Sequence, residues 1–292
     1  MRISFLKILA LSFIHPTLCT AQNEIDSLRF WGDAMISLSS PELREYAATE
    51  FNKNLRRKIR GIEDSSRMRF HPSVIRIDAP DNSFVLYTWQ REAQAGNYRY
   101  GFCMLREGQD PVIGQSAPRN YRKVNYERFD KNNWYGAIYY KLLPDTFNGN
   151  YILLGYSQSS DGTRHRIIEV LGFEGGNIFF GAPVFAKANQ GGPLEKYYRA
   201  ILHYSPGAQP VITYDPSLKQ IVYDHISSFS DPRTGEVILA QDGTFEAYDW
   251  SGNLWVHNPY LQGHPLDQAP IEKPVLDKDR PKRDLFGRPQ KN

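Results

Sequence analysis

The chain has 292 residues, 35 basic and 32 acidic, with 41% hydrophobic and 13% aromatic side chains. A formal charge of +3 argues against nucleic-acid binding, which rests on neutralising many phosphates. The length and apolar content allow a core without covalent staples, and the two cysteines, Cys19 and Cys103, outline no disulfide framework.

Residues 1–21 read as a secretory signal peptide. Arg2 and Lys7 flank the start, an apolar run spans Ile8 to Ile14, and Pro16 breaks it. Small residues between Thr17 and Ala21 place the expected cleavage after Ala21. The apolar run is far shorter than the ~20 residues a membrane-spanning helix needs. Cys19 offers a rival lipid-attachment reading, which Leu18 beside it disfavours. Losing Arg2 and Lys7 with the leader leaves 33 basic residues against 32 acidic, a nearly neutral exported protein. Cys103 then remains in the apolar run "YRYGFCML" and reads as a small buried hydrophobe, not a nucleophile.

Residues 22–66 are expected to form an N-terminal helical segment. Ser39 serves as the expected cap, with Pro41 and Glu42 after it. Leu43, Ala47, Phe51, Leu55, Ile59 and Ile62 recur at steps of three and four and make one apolar stripe. Acidic residues come early and Arg56, Arg57, Lys58 and Arg60 come late, which suits the helix dipole. Gly61 is the expected stop, and the basic cluster reads as a solvated face.

Residues 67–258 change texture. Short runs rich in Val, Ile, Tyr, Phe and Trp alternate with clusters of Gly, Pro, Asn and Asp, and no stretch suits a crossover helix. The expectation is a mainly β fold, an antiparallel meander closed as a barrel or folded as a sandwich; a small β-propeller is the alternative. Gly175-Gly176 reads as a hairpin turn, and "QDG" as a turn between the strands "EVILA" and "TFEAYDW". Residues 259–292 are rich in proline and mixed charge and read as a disordered tail, either inert or a tether.

Chemistry-bearing residues are sparse. Asp224 and His225 are an acid beside a base, yet neighbours on a regular strand leave opposite faces and cannot converge unless a bulge re-aims one. Val222 and Ile226 share the Asp224 side, so that side is the expected inner face, with Asp224 anchored by backbone N–H groups or an Arg. His165 and Glu169 share a face and form a second weak catalytic pair; no third metal ligand accompanies them, and exposed sheet polars is the expected reading. His71, His203 and His257 stand alone. "GYSQS" around Ser157 lacks the second glycine of a nucleophile elbow, and "GFEGGN" has the wrong spacing for a dinucleotide loop. No metal and no cofactor is expected. Trp134, Tyr135, Trp250 and Trp255 are candidate binding residues that stack on sugars or grip a peptide, although core packing uses the same residues.

The runs "APDNSFVLYTW", "WYGAIYYKLLP", "YILLGYSQSSDGTRHRIIEVLGF", "FGAPVF" and "TYDPSLKQIVYDHI" together resemble a family of secreted proteins of Bacteroidota with no assigned activity. The likeness spans roughly Phe51 to Trp255. It implies a Gram-negative envelope location, with the periplasm first and an extracellular or outer-membrane-associated place next. The expected function is a non-enzymatic envelope module that binds a partner protein or glycan. The alternative is a hydrolase of envelope or other polymer, using Asp224 with His225 or His165 with Glu169.

Overall fold

The computed structural model describes residues 16–65, 71–116, 124–188, 192–259 and 261. Residues Met1–Tyr260 form one compact unit and Leu261–Asn292 a second. Most of the expected signal peptide and all of the expected tail except Pro259 and Leu261 lie outside the described residues.

Two helices lead the chain, α1 (Pro16–Ser37) and α2 (Pro41–Ser65), so helix already runs through the expected cleavage point after Ala21. The cap of α2 is Ser40, not Ser39: its Oγ accepts the Leu43 N–H at 3.4 Å, and Pro41 takes the first helical position, where its missing N–H costs nothing. Arg44 fastens the interhelical turn, with Nη1 donating to Leu38 O at 2.7 Å and Nε to Glu92 O at 2.8 Å. The stripe holds for Ala47, Phe51, Leu55 and Ile59, all buried, but Leu43 is 52% exposed. Gly61 does not stop the helix; one glycine costs a helix only about 1 kcal/mol. No helix among the described residues is long and apolar enough to cross a membrane.

Fifteen strands follow among the described residues, in three sheets. The first sheet is β1 (Ile75–Asp78), β2 (Val85–Gln94), β3 (Asn97–Leu105) and β4 (Val112–Gln115), in that order. The central sheet orders β11 (Arg199–Tyr204), β7 (Arg164–Glu174), β6 (Tyr151–Gln158) and β5 (Ile138–Leu142), with β8 (Asn177–Phe180) also on β7. The third sheet orders β10 (Glu195–Tyr197), β9 (Phe185–Lys187), β15 (Trp255–Asn258), β14 (Val237–Trp250), β13 (Gln220–Ser230) and β12 (Ile212–Asp215). All pairs are antiparallel except β15 with β9. The β7–β8 link is the expected hairpin, with Gly175 and Gly176 at positive φ of 54° and 81°, as a two-residue primed turn demands.

Alternation assigns each face to a layer. Tyr87, Trp89 and Cys103 of the first sheet pack on Phe51, Leu55 and Ile59 of α2. Leu86, Phe102 and Met104, on the other face, meet Tyr139, Leu153, Ile167 and Leu171 of the central sheet. The central sheet's second face, with Ile152, Leu154, Ile168 and Leu202, meets Tyr214, Ile221, Tyr248 and Trp255 of the third. The result is a layered sandwich: each sheet has an open strand order, so none closes as a barrel among the described residues. Face-to-face stacking replaces the radial blades of the propeller alternative, and Cys103 is buried as expected.

The helix stripe gives a direct test. Phe51 contacts Trp89 edge-on at 5.2 Å, so Phe51→Ala is expected to destabilise by about 3–5 kcal/mol. Leu43→Ala, on the exposed side, is expected to stay within about 0.5 kcal/mol. Urea unfolding with unchanged slope checks both.

Candidate functional site

The Asp224–His225 step contains an irregularity. Asp224 pairs with Phe245 while Ile226 pairs with Gln241, so His225 faces the segment Asp242–Gly243–Thr244. "QDG" is therefore not a turn between two strands but a bulge inside β14. Gly243 sits at φ 86°, a left-handed conformation that serves bulges as well as turns. The bulge turns Asp242 toward His225. Asp242 Oδ2 lies 2.7 Å from His225 Nδ1 and accepts the Ser227 hydroxyl at 2.5 Å. Its Oδ1 accepts the Thr244 N–H at 3.0 Å and hydroxyl at 2.7 Å. Bonds from Ser227, Thr244 and His225 hold the Asp242 carboxyl well below the usual carboxylate range.

Asp224 also borders the cleft that His225 lines but makes no bond to His225. Its Oδ2 accepts the Val211 N–H at 2.7 Å, and its own N–H donates to Val211 O at 3.2 Å. The backbone anchor is as expected, but the face is not. Ile221 and Tyr223 are buried, whereas Val222, Asp224 and Ile226 are only half-buried; packing against the central sheet selects the side with the aromatic. The weak candidate pair Asp224/His225 thus forms no direct contact, as the sequence leads one to expect, and His225 instead has Asp242.

Beside this dyad lies Glu246, two residues before the inward Tyr248 and opposite Tyr223. His257 Nε2 is 3.0 Å from Glu246 Oε2, and His225 Nε2 is 3.9 Å from Oε1. Burial pushes the Glu246 carboxyl up; the hydrogen bond and charge of His257, the Tyr223 hydroxyl and His225 outweigh it and hold the group below its ordinary value. Glu246 is therefore an anion near neutral pH, flanked by two imidazoles. Burial and the neighbouring Tyr248 and Glu246 keep Tyr223 protonated, while burial above all pushes Tyr248 up to about 12.

These groups line a cleft of about 440 Å³ between β11 and the inner face of the third sheet, with Tyr197, Leu202 and Lys187 on its walls. That volume suits a small ligand or a short segment of a larger one. Inner positions of a sandwich are normally apolar; here an ionised Glu and two histidines gather where the sheet meets the open cleft, with Glu246 and His225 partly exposed. Among the described residues no group of three His, Cys, Asp or Glu side chains is placed to hold a metal ion.

The other candidates are corrected by burial. His165 and Glu169, expected as exposed sheet polars, are 1% and 0% exposed, because both faces of the central sheet are covered. His165 Nδ1 lies 3.3 Å from the Tyr135 hydroxyl and 3.2 Å from Ser157 Oγ, and Nε2 lies 3.2 Å from Ser159 Oγ. Glu169 accepts Arg199 Nε at 2.9 and 3.1 Å. The two engage different partners in the core and share no open point.

Trp134, Tyr135 and Trp255 are buried and present no surface for stacking. Trp134 packs on Phe102 at 4.9 Å, and Trp255 on Phe147 at 4.6 Å. Of the four expected binding aromatics Trp250 alone is half-buried, at a different cleft. Sequence reasoning missed Asp242, Glu246 and the partnership of His257. The available signal was Glu246 two positions before Tyr248 on an aromatic strand: a charge sharing the face of core residues.

No family model, curated protein or solved structure matches the chain.

Burial holds the His165 pKa down to about 3, with His203 adding to the effect. The folded state then stays unprotonated while the unfolded state takes up a proton below about 6.5. Stability contributed by the neutral ring is full above that pH and is lost as pH falls toward 3. His165→Asn is expected to flatten this acid limb, whose slope approaches about 1.4 kcal/mol per pH unit. Urea unfolding at a series of pH values between 7 and 3 measures it.

Proposed function

We propose that the chain is an exported, non-catalytic β-module of the cell envelope that binds a partner protein or a glycan in the cleft beside β11. The observation that carries this reading is the ionised Glu246 held between His225 and His257 on an inner sheet face. A carboxylate there accepts hydroxyl or amide hydrogens, imidazoles supply matching donors or acceptors, and Tyr197 and Tyr223 add flat apolar surface. Ser227, close to His225, donates its proton to Asp242 and so is not set up as a nucleophile. The charged and apolar order of the first 21 residues, and the likeness to secreted proteins of Bacteroidota, support the envelope location.

A second reading rests on the 2.7 Å contact of Asp242 with His225. A carboxylate on Nδ1 fixes the tautomer and leaves Nε2 to take a proton from water. Hydrolysis of a polymer by this dyad replaces the Asp224/His225 and His165/Glu169 alternatives.

Two measurements test these readings. Intact-mass analysis of the protein exported from a Gram-negative host is expected to show a mature start at Gln22; an acylated Cys19 overturns the soluble form. Solubilised envelope protein and glycan fractions are then passed over the immobilised mature chain. Retention is expected to fall about tenfold or more in Glu246→Gln, since a charged hydrogen-bond partner is lost. Undiminished retention in that variant sinks the cleft reading. Release of product from those fractions, abolished by His225→Ala, puts the hydrolase first.

A further inference from the structure

A second cleft, of about 640 Å³, lies where turns of all three sheets meet. Pro80 and Asp81 come from the β1–β2 turn, Asp145 and Asn148 from the β5–β6 turn, Lys219 from the β12–β13 turn, and Trp250 and Gly252 from the end of β14. Turns gathered at one end of a sandwich are where such folds place recognition.

The indole of Trp250 is half-buried. Phe147 and Trp255 brace it at centroid distances of 5.0 and 5.2 Å, and part of its surface stays in the cleft. A flat apolar plate in a polar cleft is the shape that receives the C–H face of a sugar ring.

Of the polar groups around it, Asp81 and Asp145 are held by hydrogen bonds, and Asp145, Asn148 and Lys219 keep bonding capacity open. Asp81 Oδ2 accepts the Tyr151 hydroxyl at 2.7 Å, and Oδ1 the Ser83 hydroxyl at 2.6 Å. Asp145 Oδ2 accepts the Tyr214 hydroxyl at 2.7 Å, while its Oδ1 takes no hydrogen bond among the described residues. The Lys219 ammonium and the Asn148 side-chain amide likewise make none. An acceptor and two donors, unpaired with each other around an aromatic plate, match the alternating donor and acceptor character of neighbouring sugar hydroxyls. With the carboxylates of Asp81 and Asp145 against the ammonium of Lys219, the cleft disfavours an anionic ligand, and a neutral one meets no net repulsion.

The backbone agrees with this placement. The non-glycine residues with positive φ among the described residues are Asn82, Asn148 and Lys219, at 57°, 52° and 49°. Each sits in one of the turns that form the cleft, and for Lys219 the conformation is a costly one. Such strain gathers at binding loops that the surrounding structure holds in place.

We propose that this cleft is a carbohydrate-binding site for a neutral pyranose unit of a polysaccharide, with Trp250 as the stacking plate and Asp145, Asn148 and Lys219 as the hydroxyl partners. It does not rest on the cleft beside β11, and either proposal can fail alone. The test is native gel electrophoresis of the whole chain through gels containing dextran, laminarin, xylan or galactomannan. At least one neutral polysaccharide is expected to retard the protein. Trp250→Ala is expected to weaken this about tenfold or more, Trp250→Phe to keep part of it, and Lys219→Ala to weaken it without loss of fold by circular dichroism. Retardation by none of the four overturns the proposal. So does retardation that persists unchanged in Trp250→Ala, or in Lys219→Ala should the tryptophan variant not fold.

Discussion

The architecture depends on a central sheet that is covered on both faces. β6 and β7 carry Leu153, Ile167 and Leu171 to one side and Ile152, Leu154 and Ile168 to the other. Burying both faces removes the solvent-facing set of residues that an antiparallel sheet usually keeps. Any polar group on these strands must then find its partners inside. Arg199 does so fully: it pairs with Glu169, donates to the carbonyls of Val124 and Glu127, and reaches Phe180 O at 3.3 Å. This pair ties the segment before β5 and the end of β8 to the sheet. Removing either charge strands the other, at a cost of about 3–5 kcal/mol.

The cleft beside β11 follows from a mismatch of sizes. β11 has six residues and ends the central sheet, whereas β13 and β14 have eleven and fourteen. The third sheet therefore outruns the layer that covers it. Tyr223 and Tyr248 lie at the limit of the packed core, and the next inward positions are occupied by His225 and Glu246. Polar side chains are tolerated there because water reaches them: His225 is 37% exposed and Glu246 19% by side chain. The bulge at Asp242–Thr244 strengthens the local twist and supplies the carboxylate that orients His225.

The two clefts differ in construction. The one beside β11 is built on strands, and its ionisable groups bond to one another. The one at Trp250 is built on turns, and its polar groups leave bonding capacity open. Strands fix the first set of groups through the pairing register, whereas the second set rests on turns that carry Asn148 and Lys219 at positive φ.

The sequence by itself determined the β class, the stripe from Ala47 to Ile59, the buried Cys103 and the Gly175-Gly176 hairpin. Each rests on local physics: alternation, helical period, or a backbone conformation that glycine accepts. Alternation along a strand, which sends neighbours to opposite faces, also argues against Asp224 and His225 as a pair, and the structure gives them different partners, Val211 and Asp242, although the strand is irregular at this step. Which of those faces is inward was decided by packing of Ile221 and Tyr223 on the central sheet. Whether "QDG" is a turn or a bulge was decided by β13 continuing alongside, because a glycine at positive φ fits both. Burial of His165, Glu169 and Trp134 came from layers laid over them by distant parts of the chain. The union of His225, Asp242, Glu246 and His257 joins three strands. Nothing in a single strand's period encodes that; only the pairing register and the uncovered end of the third sheet do.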